Sequence, residues 1–168
     1  MDLYFYYVDS EYIEYLKQIE RRERGFTCVP NVSYSNRKKF VFGAVLRIQS
    51  HDYFVPVSSY SKKQQDVILM KDKKTSKVLG SLRFTYMIPV PRVCCRKMDI
   101  NSLGDVHSIA HVSKELAFCR RNRDKIFRQA EKTYKRVTEK ADEALVRNSC
   151  DFQLLENACA EYNKATSP

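Results

Sequence analysis

The chain has no tryptophan and only four glycines. It also lacks the GxGxxG, GxxxxGK[ST] and HExxH signatures, so nucleotide-phosphate cradles and zinc hydrolysis are not expected. None of its six cysteines forms a CxxC pair, and His51, His107 and His111 add no metal-ligand spacing. No cofactor or metal is therefore anticipated. No stretch approaches the roughly 18 consecutive apolar residues of a membrane span. The opening Met-Asp-Leu-Tyr-Phe-Tyr is no secretion signal. The expectation is a cytoplasmic protein with no membrane partner and with cysteines kept as reduced thiols. Repeats, low-complexity tracts and linkers are missing too, and with 168 residues the whole of 1–168 is expected to be one domain.

What is present is apolar bulk and positive charge. Hydrophobic residues make up 43% of the chain and aromatics 12%, with 11 Tyr and 9 Phe, enough for a real core. Thirty Lys and Arg oppose 20 Asp and Glu, a net charge of +10. Fifteen of the thirty basic residues fall in each half, so the folded body itself is basic and attracts polyanions.

Residues 3–8, Leu-Tyr-Phe-Tyr-Tyr-Val, read as a strand. Asp9 or Ser10 then caps a helix whose apolar positions are Tyr12, Ile13, Leu16 and Ile19, and the polar Glu20 to Arg24 with Gly25 ends it. A loop runs to about Lys38. Phe40 to Ile48 is a strand with alternate residues from Phe40 on one face, Gln49 to Asp52 a turn, and Tyr53 to Ser59 the return strand, where Pro56 implies a bulge or an edge. Asp66 to Lys71 and Val78 to Phe84 complete a set of five or six antiparallel strands if Tyr86 to Val90 continues the last. The sheet part thus spans about 1–92 and the helical part about 104–163. Ile109, Val112, Leu116, Cys119, Ile126, Ala130 and Val137 keep helical spacing through one long or two collinear helices, with a kink expected at Asn122. Ser149 or Asp151 caps a last helix carrying Phe152, Leu155, Cys159 and Tyr162. The class is α+β, with a strongly bent antiparallel sheet or small barrel, flanking helices and a long C-terminal helical segment.

Basic residues stand beside hydroxyls and phenols in two places, Tyr34-Ser-Asn-Arg-Lys-Lys39 and Ser58-Ser-Tyr-Ser-Lys-Lys63, with Tyr12 on the first helix. Hairpin pairing of the strands beginning near Lys39 and ending at Ser59 brings Lys38 and the 59–63 segment to one end of a ladder, where they can converge on one phosphate. An RNA phosphodiester carries its own nucleophile in the 2′-OH, so cleavage needs positioning, a base, an acid and charge stabilisation. Crowded lysines can provide a base and a lasting cation without metal. The plainer readings are solvated lysines, Tyr12 as core packing, His51 as an exposed turn residue of second rank, and Arg120-Arg121 as a solvated face. A noncatalytic basic module binding RNA or DNA is the alternative.

The chain resembles the toxins of type III toxin–antitoxin systems, the ToxN/AbiQ family and within it the CptN branch. The resemblance is carried by Tyr12-Ile-x-Tyr-Leu-Lys17, Val29-Pro-Asn31, Tyr34-x-Asn36-x-Lys38-x-Phe40, Gly43-x-Val-Leu46-x-Ile48, His51-x-Tyr53-x-x-Pro56-x-Ser-Ser59, Lys62-Lys63, Gly80-x-Leu82-x-Phe84, Met87-Ile-Pro-Val90, Asp124-Lys-Ile126 and Phe152-x-Leu-Leu-Glu156. It implies a core like that of the Kid/MazF toxins and a metal-independent endoribonuclease leaving a 2′,3′-cyclic phosphate and a 5′-OH. It further implies an RNA antitoxin of pseudoknot repeats, processed by the toxin and closed with it into a ring. The positions it implicates in catalysis are Tyr12, Tyr34, Lys38, Ser59 and Lys62, with Ser58 beside them. Lys62 would be the base, Lys38 would hold the nonbridging oxygens, Ser59 would bond the phosphate, and Tyr34 or Tyr12 would orient a nucleotide. Further RNA contacts would come from Arg37, Lys39, His51, Tyr53, Lys63 and Arg83 near the site, and from Arg120, Arg121 and Lys125 on the helices. Two departures stand out: Arg37 replaces a common proline, and Tyr60-Ser61 fills the space of one residue, so Lys63 or Ser61 competes with Lys62 for the catalytic position.

Overall fold

A computed structural model describes residues 2–34 and 37–166, the side chains of 33–37, 163, 164 and 166 excepted. Strand β1 (Tyr4–Val8) leads into helix α1 (Ser10–Arg24). Asp9 holds the N-cap position in extended conformation without a side-chain hydrogen bond, and Gly25 closes the helix at φ 80°, its amide donating to the Arg21 carbonyl. The loop after it is not featureless, since β2 (Ser33–Tyr34) and β3 (Arg37–Lys38) form a small separate ladder.

The main sheet comprises β4 (Val41–Ile48), β5 (His51–Ser58), β6 (Val67–Lys71), β7 (Val78–Arg83), β8 (Ile88–Pro89) and β9 (Cys95–Lys97) together with β1. Its order is β6-β7-β5-β4-β1-β9, every pair antiparallel, with β8 on β5. The α+β class and the antiparallel sheet are as expected, and the sheet is open with two edges rather than closed into a barrel. A register shift between Gly43 and Leu46 breaks the expected alternation in β4, so Val41, Phe42 and Val45 are buried while Ala44, Leu46 and Ile48 are only half-buried.

Pro56 lies in a central strand, not at an edge. The Val57 amide donates to the Phe40 carbonyl, so the nitrogen of Pro56 faces the other side of β5. There the partner changes from β8, opposite Tyr53 and Phe54, to β7, opposite Val57 and Ser58, and the ladder needs no donor.

Helix α2 (Val106–Arg121) packs on β6 and β7, and α3 (Arg123–Thr138) on β4 and the 3-10 turn of Phe84–Tyr86. They part at Asn122, whose side chain donates to the Phe118 carbonyl, where the kink was expected. After the short α4 (Glu143–Arg147), Asp151 accepts from the Leu154 amide as α5 (Phe152–Thr166) begins, and α5 lies along α1 and β8.

One polar hub joins these layers. Glu20 is fully buried, and its carboxylate accepts from Arg24 Nη1 (2.7 Å), Thr27 Oγ1 (2.7 Å) and the amides of Cys28 (2.7 Å) and Asp151 (2.8 Å). Arg24 also donates to the Ser149 carbonyl. Arg21, Arg22 and Glu23 at the helix end are exposed, while Glu20 with Arg24 is a satisfied clamp between α1, the following loop and the start of α5. All six cysteines are free, four of them buried. Among the described residues no helix is long and apolar enough to cross a membrane.

Candidate nucleic-acid interface

The end of β5 sets the site. Ser58 stands opposite Ser81 of β7, and its Oγ accepts from the Tyr60 amide at 3.1 Å, turning the chain out of the sheet. The Tyr60 ring lies over the Arg83 guanidinium at 4.9 Å, and Gln64 donates to the Tyr60 hydroxyl at 3.0 Å. At the far end of the loop, buried Asp66 accepts from Arg136 (3.0 and 3.1 Å) and Thr133 (2.8 Å) on α3. Both ends are pinned, while Ser59, Ser61, Lys62 and Lys63 between them are exposed.

The facing bank comes from β3 and the residues after it. Lys39 donates its amide to the Val32 carbonyl, and the Phe40–Val57 hydrogen bond holds this segment beside the end of β5. Lys38 is exposed, with Nζ 6.0 Å from the centre of the Tyr7 ring. Arg96 on β9 reaches the same ring at 5.8 Å, and Tyr7, Lys38, Lys39 and Arg96 share a cleft of about 280 Å³. Between the banks is a cavity of about 320 Å³, lined by the apolar Val29, Phe40 and Val57 and by the polar Asn31, Lys39, Ser58 and Arg83. Arg83 also lies over Tyr86 at 4.4 Å, and its Nε is buried without a hydrogen-bond partner. A broader groove of about 560 Å³ runs past Lys63, Lys71, Lys125 and Gln129. Cationic walls over an aromatic and apolar floor are the arrangement that single-stranded nucleic acid fits.

Residues 4–160 match the family model described as Toxin ToxN, type III toxin-antitoxin system. The chain belongs to the ToxN family. An endoribonuclease ToxN of Bacillus thuringiensis subsp. kurstaki is 30% identical over 95% of this chain and 84% of its own length. One solved structure concerns bacterial type III toxin–antitoxin systems and selective toxin inhibition by a non-coding RNA pseudoknot. It is 29% identical, covers 97% of this chain and 99% of that one, and superposes with a TM-score of 0.83. The structure of AbiQ, described as a lactococcal anti-phage endoribonuclease of the type III class, is 27% identical over 98% and 99% of the two chains, with a TM-score of 0.82.

Within this ToxN-family fold the expected site residues divide. Lys38, Lys39, Ser58, Ser59, Lys62, Lys63 and Arg83 come to the same end of the sheet, Lys62 and Lys63 on the loop between Ser58 and Asp66. The side chains of Tyr34 and Arg37 lie outside the described residues, though both belong to the β2–β3 ladder beside Lys38. Tyr12 does not face a nucleotide. It is fully buried, donates to the Pro89 carbonyl at 2.6 Å and packs against Tyr162, and burial pushes its hydroxyl far above the usual tyrosine range. Tyr53 is buried as well, donating to Glu156 Oε1 at 2.7 Å, so it is core rather than an RNA contact. His51 is not in a turn but opens β5 opposite Ile48. Seven residues of strand put it about 23 Å from Ser58, too far to act on the same phosphate.

Arg120 and Arg121 are exposed at the end of α2. Arg120 lies 5.4 Å from the Tyr4 ring, which Lys97 also approaches at 4.6 Å, forming a second basic patch. Sequence reasoning missed Tyr7, Asn31, Tyr60, Tyr86, Arg96 and Lys97. Two carried a signal: Tyr60 by its place beside Ser58, Ser59 and Lys62, and Asn31 by its place in the Val29-Pro-Asn31 motif.

Proposed function

We propose that this protein is a metal-independent, sequence-preferring endoribonuclease toxin of a type III system. It cleaves cellular or phage RNA by attack of the 2′-OH on the adjacent phosphate, giving a 2′,3′-cyclic phosphate and a 5′-OH. A small RNA antitoxin of pseudoknot repeats, which the toxin itself processes, inhibits it by closing with it into a ring. The setting is cytoplasmic, in phage defence or locus maintenance, and 1–168 acts as one toxin domain. Assignment to the CptN branch rests on the sequence motifs alone.

The observation that carries this reading is the convergence of Lys38, Ser58 and the Ser59–Lys63 loop at one end of the sheet in a chain of the ToxN family. Lys62 takes the proton of the 2′-OH as its oxygen bonds to phosphorus, the P–O5′ bond breaks and the departing 5′-oxygen takes a proton from water, while Lys38 balances charge on the nonbridging oxygens and Ser59 donates to the phosphate. Seating of RNA strips water from exposed Lys38 and sharpens its effect on the phosphate charge. The Lys63–Lys71–Lys125 groove carries flanking backbone. The test is incubation of the purified protein with long RNA and with matching DNA in excess chelator. Cleavage of RNA alone is expected. Intact RNA, or equal cleavage of DNA, rejects the enzyme in favour of a noncatalytic binding module.

A further inference from the structure

We infer that the cavity of about 320 Å³ beside Arg83 is a nucleobase pocket, taking one base of the bound strand that flanks the cut, edge first, with Arg83 donating to an acceptor on that base. The inference deepens the ribonuclease reading and rests on it.

The cavity has the two kinds of wall a base requires. Val29 and Val57 are buried and Phe40 half-buried, giving an apolar floor for a flat ring. Asn31, Ser58 and Arg83 stand around it with polar groups. Arg83 is held in place by Tyr60 and Tyr86, yet its buried Nε–H makes no hydrogen bond, which is unfavourable until an acceptor arrives. Its Nη2 reaches the Tyr86 hydroxyl only at 3.4 Å, so the guanidinium is positioned but poorly satisfied. The opposite wall is rigid too. Asn31 Oδ1 accepts from Lys17 Nζ at 2.7 Å, Lys17 is itself paired with Glu14 at 2.8 Å, and the Glu20 clamp holds Thr27 and Cys28.

Lys39 and Arg83 would attract a phosphate too, but the floor of Val29, Phe40 and Val57 leaves the oxygens on that side without donors. A base offers an apolar face and acceptors on its edge at once. Ser58 lines this cavity and adjoins Ser59, so the pocket opens onto the place assigned to the scissile phosphate.

The test uses the full-length protein and single-stranded RNAs in which each position flanking the cut carries each of the four bases in turn. Cleavage rates are compared for the parent, Arg83→Lys and Tyr60→Leu. The parent should prefer one base at one flanking position; Arg83→Lys should lower that preference by about tenfold or more, and Tyr60→Leu by part of it. Preference is a ratio within one preparation, so partial misfolding of a variant leaves it readable. Unchanged preference in both variants, or no preference in the parent, overturns the pocket. A uniform loss for all bases in Arg83→Gln, with the salt slope of binding reduced by about 0.7 there and unchanged in the charge-keeping Arg83→Lys, assigns Arg83 to a phosphate and overturns it as well. No cleavage of any RNA by the parent instead overturns the ribonuclease reading beneath it.

Discussion

The Glu20 clamp and the Ser58–Lys63 loop use charge in opposite ways. At Glu20, every carboxylate bond is made inside the protein, and the group is sealed between α1, the 27–28 segment and α5. At the Ser58–Lys63 loop, the cations are exposed, and Arg83 keeps a buried donor unpaired. Satisfied charge holds the scaffold, and unsatisfied charge is left where a polyanion arrives. The first region should therefore answer to stability measurements and the second to activity measurements.

The widest separation is expected at Lys62. Lys62→Ala should lower RNA cleavage by about 10² to 10⁴, while a thermal melt stays within about 0.5 kcal/mol of the parent, as for other exposed sites. If Lys63→Ala is inactive and Lys62→Ala is not, the base sits one residue later. Loss of stability without loss of specific activity would erase the contrast.

The converse is Glu20→Ala, which leaves Arg24 half of a broken buried pair and strips two amides of their acceptor. Urea unfolding should show a loss of about 3 to 5 kcal/mol. The folded fraction should retain its base preference only if the 27–28 wall survives, so measuring both sharpens the division between scaffold and site.

A third group belongs to neither class. Glu115 on α2 is buried under β7, where a Cβ on Gly80 would meet its Oε1 at 2.6 Å, and burial pushes its carboxyl up to about 8. An acid whose folded value is raised holds its proton longer in the fold than in the unfolded chain. Stability should therefore fall as pH rises from about 4.5 to about 8, and level off above. Glu115→Gln should flatten the curve in pH-dependent melts; an unchanged slope would place its source elsewhere.

The smallest effect is expected at the second patch. Charge reversal of Arg121 should weaken binding to a folded RNA and reduce its log–log salt slope by about 0.7 to 0.9 for one lost phosphate, with the cleavage rate at saturation unaltered. An unaltered slope would remove the α2 end from the RNA surface.

Much of the scaffold was legible because its signals are local. Tyr12, Ile13, Leu16 and Ile19 mark one helix face, Gly25 its end, and Asn122 the break between α2 and α3. β8 was legible only as a continuation at Tyr86 to Val90, not as a separate strand on β5, and β9 escaped because three residues carry no period. Pro56 misled because a missing amide harms only the side of a strand that has a partner there. The shared placement of Lys38, Ser59 and Lys62 at one end of the sheet was legible from the hairpin pairing. For Tyr12 the plainer reading as core was legible from the helix face and is the one its burial and its bond to the Pro89 carbonyl bear out, whereas Tyr53 was not legible as core, since the carboxylate that takes its hydroxyl lies 103 positions away. Glu20 was hidden in part, because one of its four donors, the Asp151 amide, lies 131 positions away.

The open sheet has one further consequence, at the margin formed by β9. A strand edge exposes amides and carbonyls that invite another copy to add on, the route to fibrils and precipitates. Here that margin is three residues long and carries Arg96 and Lys97, both exposed. Two such margins repel each other before their backbones can pair. The protein is thereby guarded against self-templating at high concentration by side chains that a negatively charged strand finds attractive.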